Sequence, residues 1–79
     1  MPGDIKFTIE KEIAVLSTSN KGWNKEVNLV SWNDRPAKLD VRDWAPKHEK
    51  MGKGITLTNE EAEKLVAALV NYQNELDAE

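Results

Sequence analysis

"KGITLTNEEAEKLVAAL", Lys53 to Leu69, contains the boundary that decides the fold. Its first five residues, Lys53–Leu57, read as a short strand that follows glycine. Thr58 followed three residues later by Glu61 is a capping box, and Glu60 and Glu61 complement the positive end of a helix dipole, so a helix begins there. At about 100° per residue, Ala62, Leu65, Val66, Leu69, Val70, Tyr72 and Leu76 gather on an apolar arc of roughly 160°. That is wider than packing on a single surface requires. Either the helix sits deep in a curved sheet, or part of the arc meets a second copy of the chain.

Upstream, the residues alternate as strands do. "AKLDVRDW", Ala37–Trp44, places Leu39 and Val41 on one face and Lys38, Asp40, Arg42 and Trp44 on the other, a half-buried strand. "WNKEVNLVSWN", Trp23–Asn33, sets Val27 and Leu29 against Asn28, Val30 and Trp32. "NDRP" and "SNKG" are the turn signals between these runs. "KFTIEKEIAVLSTS", Lys6–Ser19, alternates Phe7, Ile9, Ile13 and Val15, with Lys11 interrupting the register, and reads as one long strand or two short ones. Strands are expected at about 6–17, 23–33, 37–44 and 53–57 and a helix at about 59–76. The fold class is α+β, a four-stranded antiparallel sheet followed by one C-terminal helix, in a single domain over 1–79.

Seventy-nine residues sit near the lower limit for a self-sufficient core, which in so small a chain supplies about 3–5 kcal/mol. No cysteine is present to add disulfides, and the lone His48 cannot build a structural zinc site. Self-association is the remaining support. The N-terminus shows no signal-peptide pattern and no apolar run reaches the roughly 18 residues of a membrane span, so a cytoplasmic location is the expectation.

The net charge of −3 conceals a segregation. Residues 1–58 carry ten Lys/Arg against eight Asp/Glu, and residues 59–79 one against six. The positive excess concentrates in 35–54, where Arg35, Lys38, Arg42, Lys47, Lys50 and Lys53 face three acids. Lys47, Lys50 and Lys53 recur every third residue beside Trp44, yet Pro46, Gly52 and Gly54 resist the helix that would make them a stripe.

Catalytic motifs are absent. "MGKGIT" lacks the upstream glycine of a phosphate-binding loop and has Gly54 where a hydroxyl belongs; "HEKMG" lacks the second histidine of a zinc helix. The serines have no nucleophile elbow. Asp40 and Asp43 could in principle exchange protons, but three apart on a strand they face opposite sides. No enzyme, metal or cofactor is expected.

Aromatic rings interleaved with cations suit unpaired nucleic acid: bases stack on indoles while Lys and Arg follow phosphates, neither reading base identity. The candidate contacts are Lys11, Lys21, Trp23, Lys25, Asn28, Trp32, Lys38, Arg42, Trp44, Lys50 and Lys53. The competing reading makes Trp32 and Trp44 ordinary core residues, and a rival from another class makes the tryptophans a hot-spot patch for a protein partner.

"LDVRDW", the basic glycine-bearing loop, "KGITLT" and "NEEAEKLVAAL", in this order and spacing, resemble the positive cofactor four (transcriptional coactivator) family. "IAVLSTS", "NLVSW" and "MGKGITLT" are similar to its YdbC-type bacterial branch. The resemblance covers roughly residues 5–72. It implies a strongly curved sheet of the Whirly/coactivator type, a homodimer joined through Leu65, Val66, Leu69, Val70, Tyr72 and Leu76 of the helix, and single-stranded DNA on the exposed sheet surface. Arg42, Lys53 and Lys11 match lysine and arginine positions of the family, Trp32 lies within a residue of its hairpin aromatic, and Trp44 stands at the aromatic end of the arginine-bearing strand. The serine-rich tail of the eukaryotic member is missing here, so the binding activity carries over rather than a coactivator role. The expected partners are single-stranded DNA or, alternatively, RNA, a second copy of the chain, and proteins of transcription, replication or repair, in a nucleoid-associated setting.

Overall fold

A computed structural model describes residues 5–77. Four strands, β1 (Phe7–Thr18), β2 (Asn24–Trp32), β3 (Lys38–Trp44) and β4 (Met51–Leu57), form one antiparallel sheet in the order β1-β2-β3-β4, and the helix α1 (Asn59–Asp77) follows. The fold class is thus the α+β arrangement expected. β4 starts two residues before the expected 53, because Met51 pairs with Trp44 across an irregularity in the β3–β4 ladder.

Local chemistry sets the connections. Ser19–Trp23 closes the β1–β2 turn, with Ser19 N–H donating to the Trp23 carbonyl at 2.7 Å and Gly22 supplying a φ of +82°. Asn33 and Asp34 take φ of 52° and 64°, the left-handed pair of a tight turn inside the longer β2–β3 connection (residues 33–37), and Arg35 N–H donates to the Trp32 carbonyl at 3.0 Å. The β3–β4 connection makes a short 3-10 turn at Pro46–His48 in which Lys47 and His48 also lie at positive φ. The capping box forms as the sequence demands: Glu61 N–H donates to Thr58 Oγ1 at 3.1 Å, and Thr58 N–H to Glu61 Oε1 at 2.9 Å.

β1 is a single strand with register shifts between Ile9 and Lys11, Glu12 and Ala14, and Val15 and Ser17. Each shift rotates the following side chains relative to the sheet. Phe7 therefore lies opposite Trp32 and Ile9 opposite Val30, while Lys11 lies opposite Leu29 on the other face, despite its matching parity.

Directly paired residues share a face, and the two faces differ. Here called the closed face, one carries Phe7, Glu26, Asn28, Val30, Trp32, Asp40, Arg42 and Trp44; the sheet coils around it until Phe7 on β1 meets Trp44 on β3, ring centroids 5.0 Å apart. Val30, Trp44 and Asp40 have no accessible surface, and Asn28 almost none. The open face carries Lys11, Lys25, Val27, Leu29, Leu39, Val41, Asp43, Ile55 and Leu57.

This inverts the expectation for β3, whose polar-looking side is the buried one. Burial of Asp40 is sustained because its carboxylate is fully engaged: Arg42 donates through Nε and Nη2, each at 3.1 Å, and Thr56 Oγ1 donates at 2.7 Å. Arg42 Nη1 donates to the Gly52 carbonyl at 3.0 Å and the guanidinium stacks over Trp32, 5.1 Å from its centroid. Gly54, opposite Arg42, leaves no room for a side chain, since a Cβ there would overlap the Val41 carbonyl and the Arg42 backbone.

The helix hardly joins this core. Its first turns lie beside Leu39, around Asn59, Ala62, Glu63 and Val66, and no helix residue is buried. Leu65, Val66, Leu69, Val70, Tyr72 and Leu76 are all exposed. The radius of gyration is 14.7 Å, whereas a compact chain of this length has about 12 Å. Accessible surface is 6316 Å², roughly 1,500 Å² above that of a compact monomer of this mass. No helix among the described residues is long and apolar enough to cross a membrane.

Candidate nucleic-acid interface

The open face bears two shallow depressions that share Lys25 and Asp43. One lies at the β1–β2 end and is lined by Ser17, Thr18, Ser19, Lys21 and Trp23; the other runs over Val41, Arg42 and Gly54 to Lys53 and Ile55. Together they make a basic groove across the tips of all four strands. Trp23 is half-buried just before β2, its backbone N–H donating to Ser19 Oγ at 3.2 Å. Its ring stands beside Gly52, where a Cβ would come within 3.2 Å of both the ring carbon Cζ3 and the Asp43 Cβ. Glycine at that position lets β4 approach and seat the indole on the sheet, with Lys21, Lys25 and Lys53 exposed around it.

The candidate residues from the sequence are divided between the two faces. Lys11, Lys25 and Lys53 lie exposed on the open face and Lys21 on the turn. Lys50 is exposed on the β3–β4 connection, and Lys38 is exposed on the other face at the start of β3.

Two expected contacts need correction. Trp44 is 0 % exposed, held between Phe7 and the His48 ring at 5.2 Å, and has no face for a base. Asn28 is buried and donates its amide to Glu26 Oε1 at 3.0 Å. The physical cause is common to both: coiling closes the face that alternation alone leaves open. Arg42, its side chain 15 % exposed, is bonded to Asp40 and the Gly52 carbonyl and stacks on Trp32, and it also borders the second depression. Trp32 is half-buried against Phe7, centroids 6.1 Å apart, with its ring N–H buried and unpartnered among the described residues, as is that of Trp44.

Beneath the closed face, His48 Nε2 lies 2.8 Å from Glu26 Oε1. Burial alone would push the Glu26 carboxyl up, but hydrogen bonds from Asn28 and His48, the His48 charge, and Asn24 outweigh it and hold the carboxyl below its ordinary value. This pair anchors the basic Pro46–Lys50 connection to the sheet, keeping its lysines on the outside. Sequence reading missed Asp43, the one acid shared by both depressions; its signal was pairing with Lys25, visible only once β2 and β3 are in register.

Residues 19–68 match the family model described as Transcriptional Coactivator p15 (PC4). The chain is also similar to an uncharacterized protein of Treponema pallidum (strain Nichols), 47% identical over 58 residues, which is 73% of this chain and 68% of that protein. The family match spans the β1–β2 turn to the first half of α1, and so includes Trp23, Lys25, Asp43 and Lys53.

Proposed function

We propose that this chain, which belongs to the transcriptional coactivator p15 (PC4) family, binds single-stranded DNA as a homodimer and with little sequence preference, in transcription, replication or repair. Nucleic-acid binding is the role its family carries. The observation that supports the single-stranded form is the half-buried Trp23 in an open groove flanked by Lys21, Lys25 and Lys53. An indole fixed at its base and free on one side offers a stacking surface to an unpaired base, and the ammonium groups lie where the backbone would pass. A duplex keeps its base faces covered and gains only the charge term.

Homodimerisation is supported by the unpartnered apolar side of α1 and by the open-face residues Val27 and Leu29, neither of which is fully covered within one chain. An excess of roughly 1,500 Å² per chain falls within the range that obligate dimers bury. The family is a non-enzymatic one, and binding is the activity this reading assigns.

Titration of labelled oligo-dT into the protein at two salt concentrations, followed by Trp fluorescence and anisotropy, tests the reading. Binding should quench the emission, weaken with rising salt, and fall by about 1–3 kcal/mol in Trp23→Ala, as expected for loss of one stacked base. A Trp23→Ala protein with wild-type affinity and a flat salt response would refute it. Competition by matched RNA oligomers ranks the two sugars.

A further inference from the structure

We infer that Asp43 sorts the bases that enter the groove, accepting hydrogen bonds from the Watson–Crick edge of an unpaired guanine and disfavouring thymine. The inference rests on the single-stranded reading above and deepens it.

Asp43 lies opposite Lys25 in the β2–β3 ladder and borders both depressions. Ion pairs among the described residues join Arg42 to Asp40, His48 to Glu26 and Lys64 to Glu60; Asp43 is in none of them. The neighbouring Arg42 borders the same depression, but its guanidinium is bonded to Asp40 and the Gly52 carbonyl. A carboxylate outside these ion pairs thus stands in a groove whose other charges are cations.

Such a group repels phosphate as firmly as the lysines attract it. A strand settling there keeps its backbone on the lysines and turns its bases toward Asp43. The Trp23 ring and the Asp43 Cβ both lie 3.2 Å from the position a Cβ would take at Gly52, so the indole and the carboxylate are close neighbours, and on this proposal a base stacked on the indole meets the carboxylate with its edge. That edge must donate. Guanine offers N1–H and an N2 amino hydrogen side by side, matching the two carboxylate oxygens; cytosine and adenine offer one amino group. Thymine flanks its single N3–H with two carbonyl oxygens that oppose the charge. Single strands expose these edges, so the contact needs no groove of a duplex.

The test compares, by anisotropy, wild-type protein and Asp43→Asn on a 20-nucleotide oligo-dT and on the same oligomer with spaced guanines or spaced inosines. Wild type should prefer the guanine oligomer to oligo-dT by about fivefold, near the low end for a bidentate edge contact. Inosine, which lacks the N2 amino group, should lose most of that gain without any change to the protein. Asp43→Asn should lower the guanine-to-thymine ratio toward one and bind oligo-dT more tightly. Equal affinities of wild type for all three oligomers, or an unchanged ratio in Asp43→Asn, would overturn the sorting role and leave single-strand binding standing. Absence of binding to every oligomer at low salt would overturn both.

Discussion

Leu69→Glu separates a chain that is complete by itself from one that needs a partner. Leu69 sits at the middle of α1 and is 55 % exposed, with Leu65, Val66 and Val70 exposed around it. In an isolated chain the substitution touches nothing and should change stability by no more than about 0.5 kcal/mol. In a twofold dimer joined through α1 it occurs once on each side of the axis. Each leucine withdrawn from an interface forfeits about 1.5–3 kcal/mol of apolar burial, before the cost of desolvating a carboxylate is added. Two copies therefore weaken association by at least about 3 kcal/mol, a hundredfold or more in dissociation constant. Sedimentation equilibrium across a concentration series reads this directly. Wild type should have twice the chain mass of 8.9 kDa, and Leu69→Glu the single mass at the same concentration. Thermal unfolding of wild type should also rise with protein concentration, as mass action requires. Wild type sedimenting as single chains, or Leu69→Glu dimerising with undiminished affinity, would refute the argument.

Trp44→Ala should cost about 3–5 kcal/mol, as for other large-to-small core changes, which is comparable to the whole stability of so small a domain; circular dichroism should show it largely unfolded, and a folded variant that had lost only DNA binding would restore Trp44 as a stacking surface. Acid should destabilise the protein through Glu26. Its folded pKa lies below the ordinary 4.5, so the stabilisation is complete above that value and disappears as pH falls through the folded one. In urea titrations at stepped pH, Glu26→Gln should be less stable than wild type at pH 7, with the difference shrinking toward acid; a constant difference would rule out this role.

What was legible in the sequence was what depends on neighbours in the chain. Thr58 and Glu61 fix the start of α1 through bonds made within one turn, and Asn33–Asp34 turns the chain after β2 through its own backbone preference. The alternation in β3 was equally clear, but its direction was not. Asp40 and Arg42 look like solvent-facing residues until Thr56 and the Gly52 carbonyl arrive from β4 to satisfy them. The same limit applies to the binding groove. Lys25 and Lys53 could be named from composition, whereas the seating of Trp23 against Gly52 and the placing of Asp43 between the lysines require β2, β3 and β4 to be brought together in register.

The three interruptions in β1 bear on how copies of this protein avoid one another. A twelve-residue strand on the rim of a sheet, with Ile13, Val15 and Leu16 uncovered, would ordinarily invite a foreign strand to zip alongside it. Here the free amides and carbonyls lose their regular spacing every few residues, so an incoming strand finds no long ladder to continue. The interruptions thus blunt an apolar rim that would otherwise template strand addition.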